Sequence, residues 1–344
     1  MKILIVHELF PPDFAGGGEK IMYELAKRLI LKGHQVKVLT TGKPQIREHH
    51  HIHTIRRPYH RYFMNFSLLS VLKYAKNADV IHASSYNAFL PALIAGKILK
   101  KPVISYAMGL YGKRWLQMRG PIFGNASRLV EKIQLNRKFT KSVFLSDYSR
   151  DWAKEIGITK NTAVVNPGVD LQDYHPGRKE PFVLFVGRFA QQKGVDDIIT
   201  VAQNLPHINF KMIGWGEEET RLKQIAPPNI KFYNGLNNKA KVIELYSQAL
   251  VCLFPSVGET FGLVVPEAMA SGCAIVSTIS LDYAGFQVQP HDTKIMTEKI
   301  NLLLQNPQLA HKMGQQNLEL AKNYDWGQFT DKFIKIYQEV TKKL

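Results

Sequence analysis

Leu250-Val-Cys-Leu-Phe254, then Glu259-Thr-Phe-Gly-Leu-Val-Val-Pro-Glu267-Ala-Met-Ala-Ser-Gly272, then Ala274-Ile-Val-Ser277 is the stretch on which the reading turns. It runs from an apolar strand through a short helix to a second apolar strand. Pro266 suits a first helical turn and Gly272 a stop. Opening the helix at Gly262 leaves the N–H groups of Phe261, Gly262 and Leu263 unpaired at a helix N-terminus, where the dipole favours an anion. Glu259 stands on the loop before those amides and Glu267 about two turns further on. Amides and carboxylates so placed suit a sugar phosphate, the first holding phosphate and the second hydroxyl groups. The plain alternative is a capped helix with two solvated glutamates. The preceding strand and the glycine in the turn favour the ligand site.

Outward from this unit the same alternation fills the chain. Toward the N-terminus, strands are expected over 2–6, 36–40, 79–83, 102–106 and 142–146. Helices are expected over 18–32, near 91–99, over 127–141 and over 147–156, with a basic loop region after residue 40. The first helix has the helical period at Ile21, Met22, Leu25, Leu29 and Ile30, with Gly33 as its stop. A second series places strands at 182–186, 209–213, 230–233, 250–254 and 274–277, with helices at 195–204, 217–224, 238–249 and 262–271. A closing amphipathic helix over 326–344 carries Phe329, Phe333, Ile336 and Tyr337. Strand–helix alternation of this kind implies two parallel sheets with helices on both faces. The expected hinge is Asn166-Pro-Gly168, giving domains 1–168 and 169–325. A chain of 344 residues exceeds one ordinary core, which agrees with two domains.

Residues 1–170 hold 27 Lys and Arg against 11 Asp and Glu, whereas 171–344 hold 18 against 17. The excess positive charge is therefore N-terminal, and much of it lies beside aromatics in Arg56-Arg-Pro-Tyr-His-Arg-Tyr-Phe63, Tyr111-Gly-Lys-Arg-Trp115 and Arg137-Lys-Phe139. That pattern suits the headgroup region of an anionic bilayer. A solvated basic face is the plain alternative. The same pattern could bind nucleic acid, which stands as a lesser alternative, but no RNA- or DNA-binding motif accompanies the charge, so nucleic acid is not an expected partner. No run of about 20 apolar residues would span a bilayer, and the apolar start is too short for a signal peptide, so the expectation is a cytoplasmic, peripherally membrane-associated protein. Cys252 and Cys273 sit in apolar segments and read as reduced core residues. No Cys/His cluster has metal-site spacing, and His49-His-His-Ile-His53 reads as an exposed turn.

Glu259 to Glu267 resembles the E-x7-E signature of family 4 of the glycosyltransferases, a retaining family with the GT-B fold. Four further segments resemble that family in the right order: His7-Glu-Leu-Phe-Pro-Pro-Asp-Phe-Ala-Gly-Gly-Gly-Glu19, Ala163-Val-Val-Asn-Pro-Gly-Val-Asp170, Phe185-Val-Gly-Arg188 with Gln192-Lys-Gly194, and Met212-Ile-Gly-Trp-Gly216. The resemblance implies an α/β chain of two Rossmann-like, doubly wound parallel-sheet domains facing a cleft, with the closing helix crossing back onto the first. It implies transfer of a sugar from a nucleotide-sugar donor to a lipid-linked or cell-envelope glycan acceptor, with no cofactor and no metal. The matching catalytic residues are Arg188, Lys193 and Glu259. The donor-binding set adds Gly17, Gly18, Gly187, Gly214, Thr260, Phe261, Gly262, Leu263 and Glu267. Arg188 and Lys193 would stabilise the leaving diphosphate, Glu267 would bind ribose hydroxyls and Glu259 a donor-sugar hydroxyl. Met108 and Gly109 fall on the acceptor side, where the family often carries a His. The 277–285 stretch is shorter than the family's usual loop. These departures mark an unusual acceptor site or an altered activity, so a catalytically weak scaffold or partner of another transferase stands as the alternative.

Overall fold

The computed structural model describes residues 1–13, 16–235 and 238–342, so Phe14 and Ala15 of the N-terminal loop and the last two residues of the expected closing helix lie outside the described residues. In chain order the elements begin β1 (Lys2–Val6), α1 (Gly17–Leu31), β2 (Gln35–Thr41), β3 (Glu48–His49), β4 (Ile52–Arg57), α2 (Leu68–Ala75), β5 (Val80–Ala83), α3 (Tyr86–Leu99), β6 (Val103–Ala107), α4 (Arg114–Leu135), β7 (Lys141–Phe144), α5 (Asp147–Glu155) and β8 (Thr162–Val164). They continue with β9 (Glu180–Arg188), α6 (Val195–Asn204), β10 (Asn209–Trp215), α7 (Glu219–Ile225), β11 (Ile230–Asn234), α8 (Lys239–Gln248), β12 (Ala249–Phe254), α9 (Val264–Ala270), β13 (Ala274–Ser277), β14 (Gly285–Gln287), α10 (Thr293–Gln305), α11 (Pro307–Ala321) and α12 (Trp326–Thr341).

The chain divides into two compact units. The first comprises Met1–Gly112, Asn125–Pro167 and Trp326–Leu344, and the second Lys113–Gly124 and Gly168–Asp325. The first sheet has the order β3-β4-β2-β1-β5-β6-β7-β8 and the second β11-β10-β9-β12-β13-β14. Every described pairing is parallel except β3 with β4. Central strands such as β5, β6, β12 and β13 are buried along their whole length, as helices on both faces require. The second sheet follows the doubly wound order, with two strand–helix halves diverging from β9 and β12.

The basic loop region expected after residue 40 instead contains the hairpin β3–β4 and helix α2. On β4 the inward residues are Ile52, Thr54 and Arg56. An arginine on the inward face reads as surface from sequence. Here its guanidinium is fully buried, donating to the carbonyls of Phe10, Pro11 and Ile46 and pairing with Asp13 at 2.9 Å. Arg56 is thus a structural tie and not part of a bilayer-facing patch. Helix α4 opens earlier than the expected 127, through Pro121, with a kink at Gly120 where φ is 70°. The Gly16–Gly18 loop is mostly helix: α1 starts at Gly17, and Gly16 donates its N–H to Glu19. Strand β8 ends two residues before the expected hinge at Asn166, and β14 begins where the short 277–285 stretch ends.

Within the first unit α12 packs on α1, burying Trp326, Phe329, Phe333 and Tyr337 almost completely. Tyr337 also reaches the sheet, its hydroxyl 2.6 Å from Nδ1 of His82 on β5. Burial lowers the pKa of His82 to about 3, with His7 adding to the effect. Burial also lowers His7 to about 4, opposed by a hydrogen bond to the Ser84 backbone. Both imidazoles are neutral in the folded chain, whereas in the unfolded chain they take up protons below about pH 6.5. Their stabilising contribution is therefore complete above about pH 6.5 and is lost as pH falls toward 4. Two such groups remove about 2.7 kcal/mol per pH unit across that window. Denaturant midpoints measured from pH 7 to 4.5 should fall accordingly, and His82→Gln with His7→Gln should flatten the fall. An unchanged slope in the double variant would refute this assignment.

Candidate functional site

In the second sheet the strand order changes direction between β9 and β12, and the crevice at their C-terminal ends is where ligands settle in such folds. Arg188 ends β9 and the 255–259 loop follows β12. A turn of 3-10 helix at Gln191–Lys193 leads into Gly194, whose φ is 66°. A Cβ on Gly194 would stand 2.1 Å from the Pro255 carbonyl oxygen, so only glycine allows this approach. The N–H groups of Val257 and Gly258 both donate to the Gln192 carbonyl, at 3.0 and 3.3 Å. Through these bonds the Lys193 ammonium meets the Glu259 carboxylate in a partly buried ion pair. Lys193 and Glu259, expected to act on different parts of a ligand, hold each other here.

Arg188 is partly buried, and among the described residues its guanidinium has no hydrogen-bond or ion-pair partner. Gly187 precedes it, and a Cβ on Gly214 of β10 would come within 1.8 Å of the Gly187 carbonyl oxygen. Those two glycines set β9 and β10 close enough for Trp215 to pair in register with Arg188. Glu259 also accepts from the Thr260 N–H at 3.3 Å. Phe261 is buried, edge-on to Tyr324 at 5.8 Å, and Leu263 is partly buried. Helix α9 opens at Val264 and not at Gly262, because Gly262 is left-handed at φ 80°. The Phe261–Leu263 amides lie just ahead of it. Glu267 on α9 is 8% exposed and accepts from the Tyr246 hydroxyl at 3.4 Å. Burial and then the Glu267 carboxylate hold the Tyr174 phenol well above its usual pKa.

Sequence reasoning missed Arg114, whose guanidinium donates to the Glu259 carbonyl. The basic, aromatic segment around it reads as a surface, and nothing in the sequence ties it to a loop so far along the chain. It also missed the aromatic setting of Glu267, since Tyr174 and Tyr246 carry no motif. Among the described residues no group of His, Cys, Asp and Glu gathers as a metal-sized cluster. The two cysteines are free and buried.

In the first unit the corresponding change of strand order falls between β1 and β5. His7 follows β1 and Ser84 follows β5, with Ser84 Oγ 2.9 Å from His7 Nδ1. Gly17 and Gly18 form the first turn of α1. A Cβ on Gly18 would lie 3.6 Å from Met108 Cε and 4.0 Å from His7 Cε1, so His7, Gly18 and Met108 share one corner. Gly109 gives its carbonyl to the Tyr86 hydroxyl at 3.1 Å. The buried Glu131 accepts from the N–H groups of Tyr111 and Gly112 and from Trp152 Nε1. The segment carrying Met108 is thereby pinned by a carboxylate from α4.

Residues 15–173 match the model of glycosyltransferase family 4, and residues 170–320 that of the glycosyl transferases group 1. The chain belongs to this glycosyltransferase family. A phosphatidyl-myo-inositol mannosyltransferase of Mycolicibacterium smegmatis is 23% identical, over 96% of this chain and 92% of that one. An N,N'-diacetylbacillosaminyl-diphospho-undecaprenol alpha-1,3-N-acetylgalactosaminyltransferase of Campylobacter jejuni is 24% identical over 81% of each. Among solved structures, Anabaena HepE in complex with UDP and glucose aligns with a TM-score of 0.79 at 18% identity, covering 98% of this chain and 100% of that one. The two units are the Rossmann-like domains of a GT-B glycosyltransferase. For this glycosyltransferase, Gly194→Ala forces a side chain onto the Pro255 carbonyl from a left-handed backbone. It should cost about 1–3 kcal/mol of stability and separate Lys193 from Glu259. Chemical denaturation checks the first effect. A variant as stable as the parent would show that the loop has room to shift.

Proposed function

We propose that the chain is a metal-independent, retaining transferase that moves a sugar from a nucleotide-sugar donor to a lipid-linked or cell-envelope glycan acceptor, from the cytoplasmic side of an anionic membrane. The observation that carries the donor site is the Lys193–Glu259 pair beside the unpartnered Arg188 at the strand-order change of the second sheet. Breaking the anomeric C–O bond leaves its electron pair on the diphosphate. Fixed cations there lower the barrier, because they face charge that develops in the transition state. On this reading the diphosphate takes Lys193 from Glu259, and the released carboxylate accepts from a donor-sugar hydroxyl. Glu267, held by Tyr246, receives the ribose hydroxyls. The UDP named with HepE and the diphospho-undecaprenol substrate named with the Campylobacter relative support a nucleotide donor and a lipid-linked acceptor.

Met108 has no proton to exchange. In a front-face transfer the leaving phosphate itself takes the proton of the acceptor hydroxyl as the new glycosidic bond forms, so no base is needed at that corner. Among the described residues the Arg188 guanidinium holds no hydrogen bond or ion pair. Arg188→Ala should therefore leave the thermal midpoint unchanged while weakening donor binding about 10- to 100-fold, the worth of a charge-assisted contact. Calorimetric titration with nucleotide sugars measures this. Parent-like affinity would remove Arg188 from the site.

The membrane reading rests on residues 57–76, which hold Arg57, Arg61, Lys73 and Lys76 and no acidic residue. Tyr62, Phe63, Phe66 and Leu69 are exposed there, Phe66 at 79% and Leu69 at 81%. Arg61 and Lys73 stand in the same segment. Among the described residues no helix is long and apolar enough to cross a membrane, so attachment would be by this surface. Each Lys or Arg near an anionic surface contributes about 1 kcal/mol, screened by salt. Co-sedimentation with anionic vesicles should fall as salt rises, and fall further for Phe66→Ser with Leu69→Ser and Arg61→Gln. Equal binding to neutral vesicles would overturn the electrostatic part.

A further inference from the structure

The first unit holds a cavity of about 440 Å³ at the opposite edge of its sheet from His7, Gly18 and Met108. It lies where β6 begins, with the buried Val103 and Val340 among its lining. Around these stand Lys97, Lys100, Lys101 and Lys138. Gly96 explains how α3 delivers three of them. A Cβ on Gly96 would lie 2.2 Å from Val103 Cγ2, so the helix end packs directly on the strand start. Lys100 then closes the helix in the left-handed conformation, and the Lys101 N–H returns to the Gly96 carbonyl at 2.9 Å.

A cation in the last turn of a helix offsets the dipole. That accounts for one or two lysines, not for a fourth arriving from the segment ahead of β7. No carboxylate lines the cavity, and among the described residues none of the four lysines has a carboxylate partner. Glu339, next to Val340 on α12, is paired with Lys141 at 3.2 Å. Lys97, Lys100 and Lys138 are exposed, so water screens their mutual repulsion, and an anion entering the cavity meets four lysine side chains above an apolar floor. Ammonium groups bind phosphoryl oxygens as point charges without demanding one geometry. The volume falls within the range of small-molecule sites, about 300–1,000 Å³, and so leaves room for an apolar carrier as well as a phosphoryl group.

We infer that this cavity is a binding site for a phosphoryl anion borne on a partly apolar carrier, separate from the sugar-transfer site. The same chemistry is offered by a soluble diphosphate and by a phospholipid headgroup. Binding of inorganic pyrophosphate, and of neutral phosphatidylcholine vesicles with and without 10% phosphatidic acid, should be measured on the full chain carrying Arg188→Ala, which removes a competing cation. K97Q/K100Q/K101Q/K138Q should lower affinity at least tenfold for whichever probe binds. K37Q/K294Q/K312Q/K332Q, which removes the same charge from exposed positions elsewhere, should change it less than twofold. Lysine-dependent pyrophosphate binding identifies a soluble ligand, and lysine-dependent binding to phosphatidic acid alone identifies a lipid. Equal losses in the two variants, or no binding to either probe, would overturn the site. Thermal unfolding of both variants checks that they fold. Donor binding by the second unit is measured separately and does not depend on the outcome.

Discussion

The candidate site depends on close approach of backbone at the C-terminal edge of the second sheet. Lys193 and Glu259 meet there because loops touch at distances that exclude a Cβ. Gly214 lies against the Gly187 carbonyl and Gly194 against that of Pro255. The first contact sets the ends of β9 and β10. The second folds the 3-10 turn onto the 255–259 loop, and the two amide bonds to Gln192 fix it there. Lys193 and Glu259 are thus consequences of backbone packing. Their positions are set by backbone contacts as well as by the ion pair between them.

The proposed exchange of that pair for a ligand has an energetic logic. A partly buried ion pair gains from a lowered local dielectric but gives up hydration, and the net is often small. Glu259 and Lys193 retain 15% and 23% of their side-chain exposure, so neither has lost all its water. On the proposed reading a diphosphate, which carries more charge than one carboxylate, would meet both Lys193 and Arg188, and replacing the internal pair by two ligand contacts would favour the bound state. Glu267 differs, since its surroundings of Tyr246 and Tyr174 are closed and aromatic. On the same reading it would be a fixed acceptor and Glu259 a releasable one.

Strand–helix alternation was legible because buried parallel strands are short apolar runs and their helices keep the 3.6 period, so β9 to β13 and α1 fall close to where the sequence places them. The Arg188, Lys193, Glu259 and Glu267 set was named from the family resemblance, and of these the fold brings Lys193 and Glu259 into contact. What escaped depends on partners remote in sequence. Arg56 reads as surface until three carbonyls and Asp13 are seen around it. The 113–124 segment reads as part of its neighbours, yet it packs with the second unit through Arg114 to Glu259 and Met118 against Gly258. Strand β4 was hidden because Arg56 and Arg57 mask its inward alternation.

The two units meet the demands of a polar centre in different ways. In the second, the crevice holds charged side chains whose partners can change. In the first, the equivalent position holds His7, tied to Ser84, next to Gly18 and Met108. Burial keeps that imidazole neutral, so it offers hydrogen bonding without charge. Arg61 interacts with Glu8 and Glu19, the neighbours of His7 and Gly18, so charge near that corner is balanced by carboxylates of the same unit. Four further lysines of the first unit stand around the cavity where β6 begins, and no carboxylate among its lining residues offsets them.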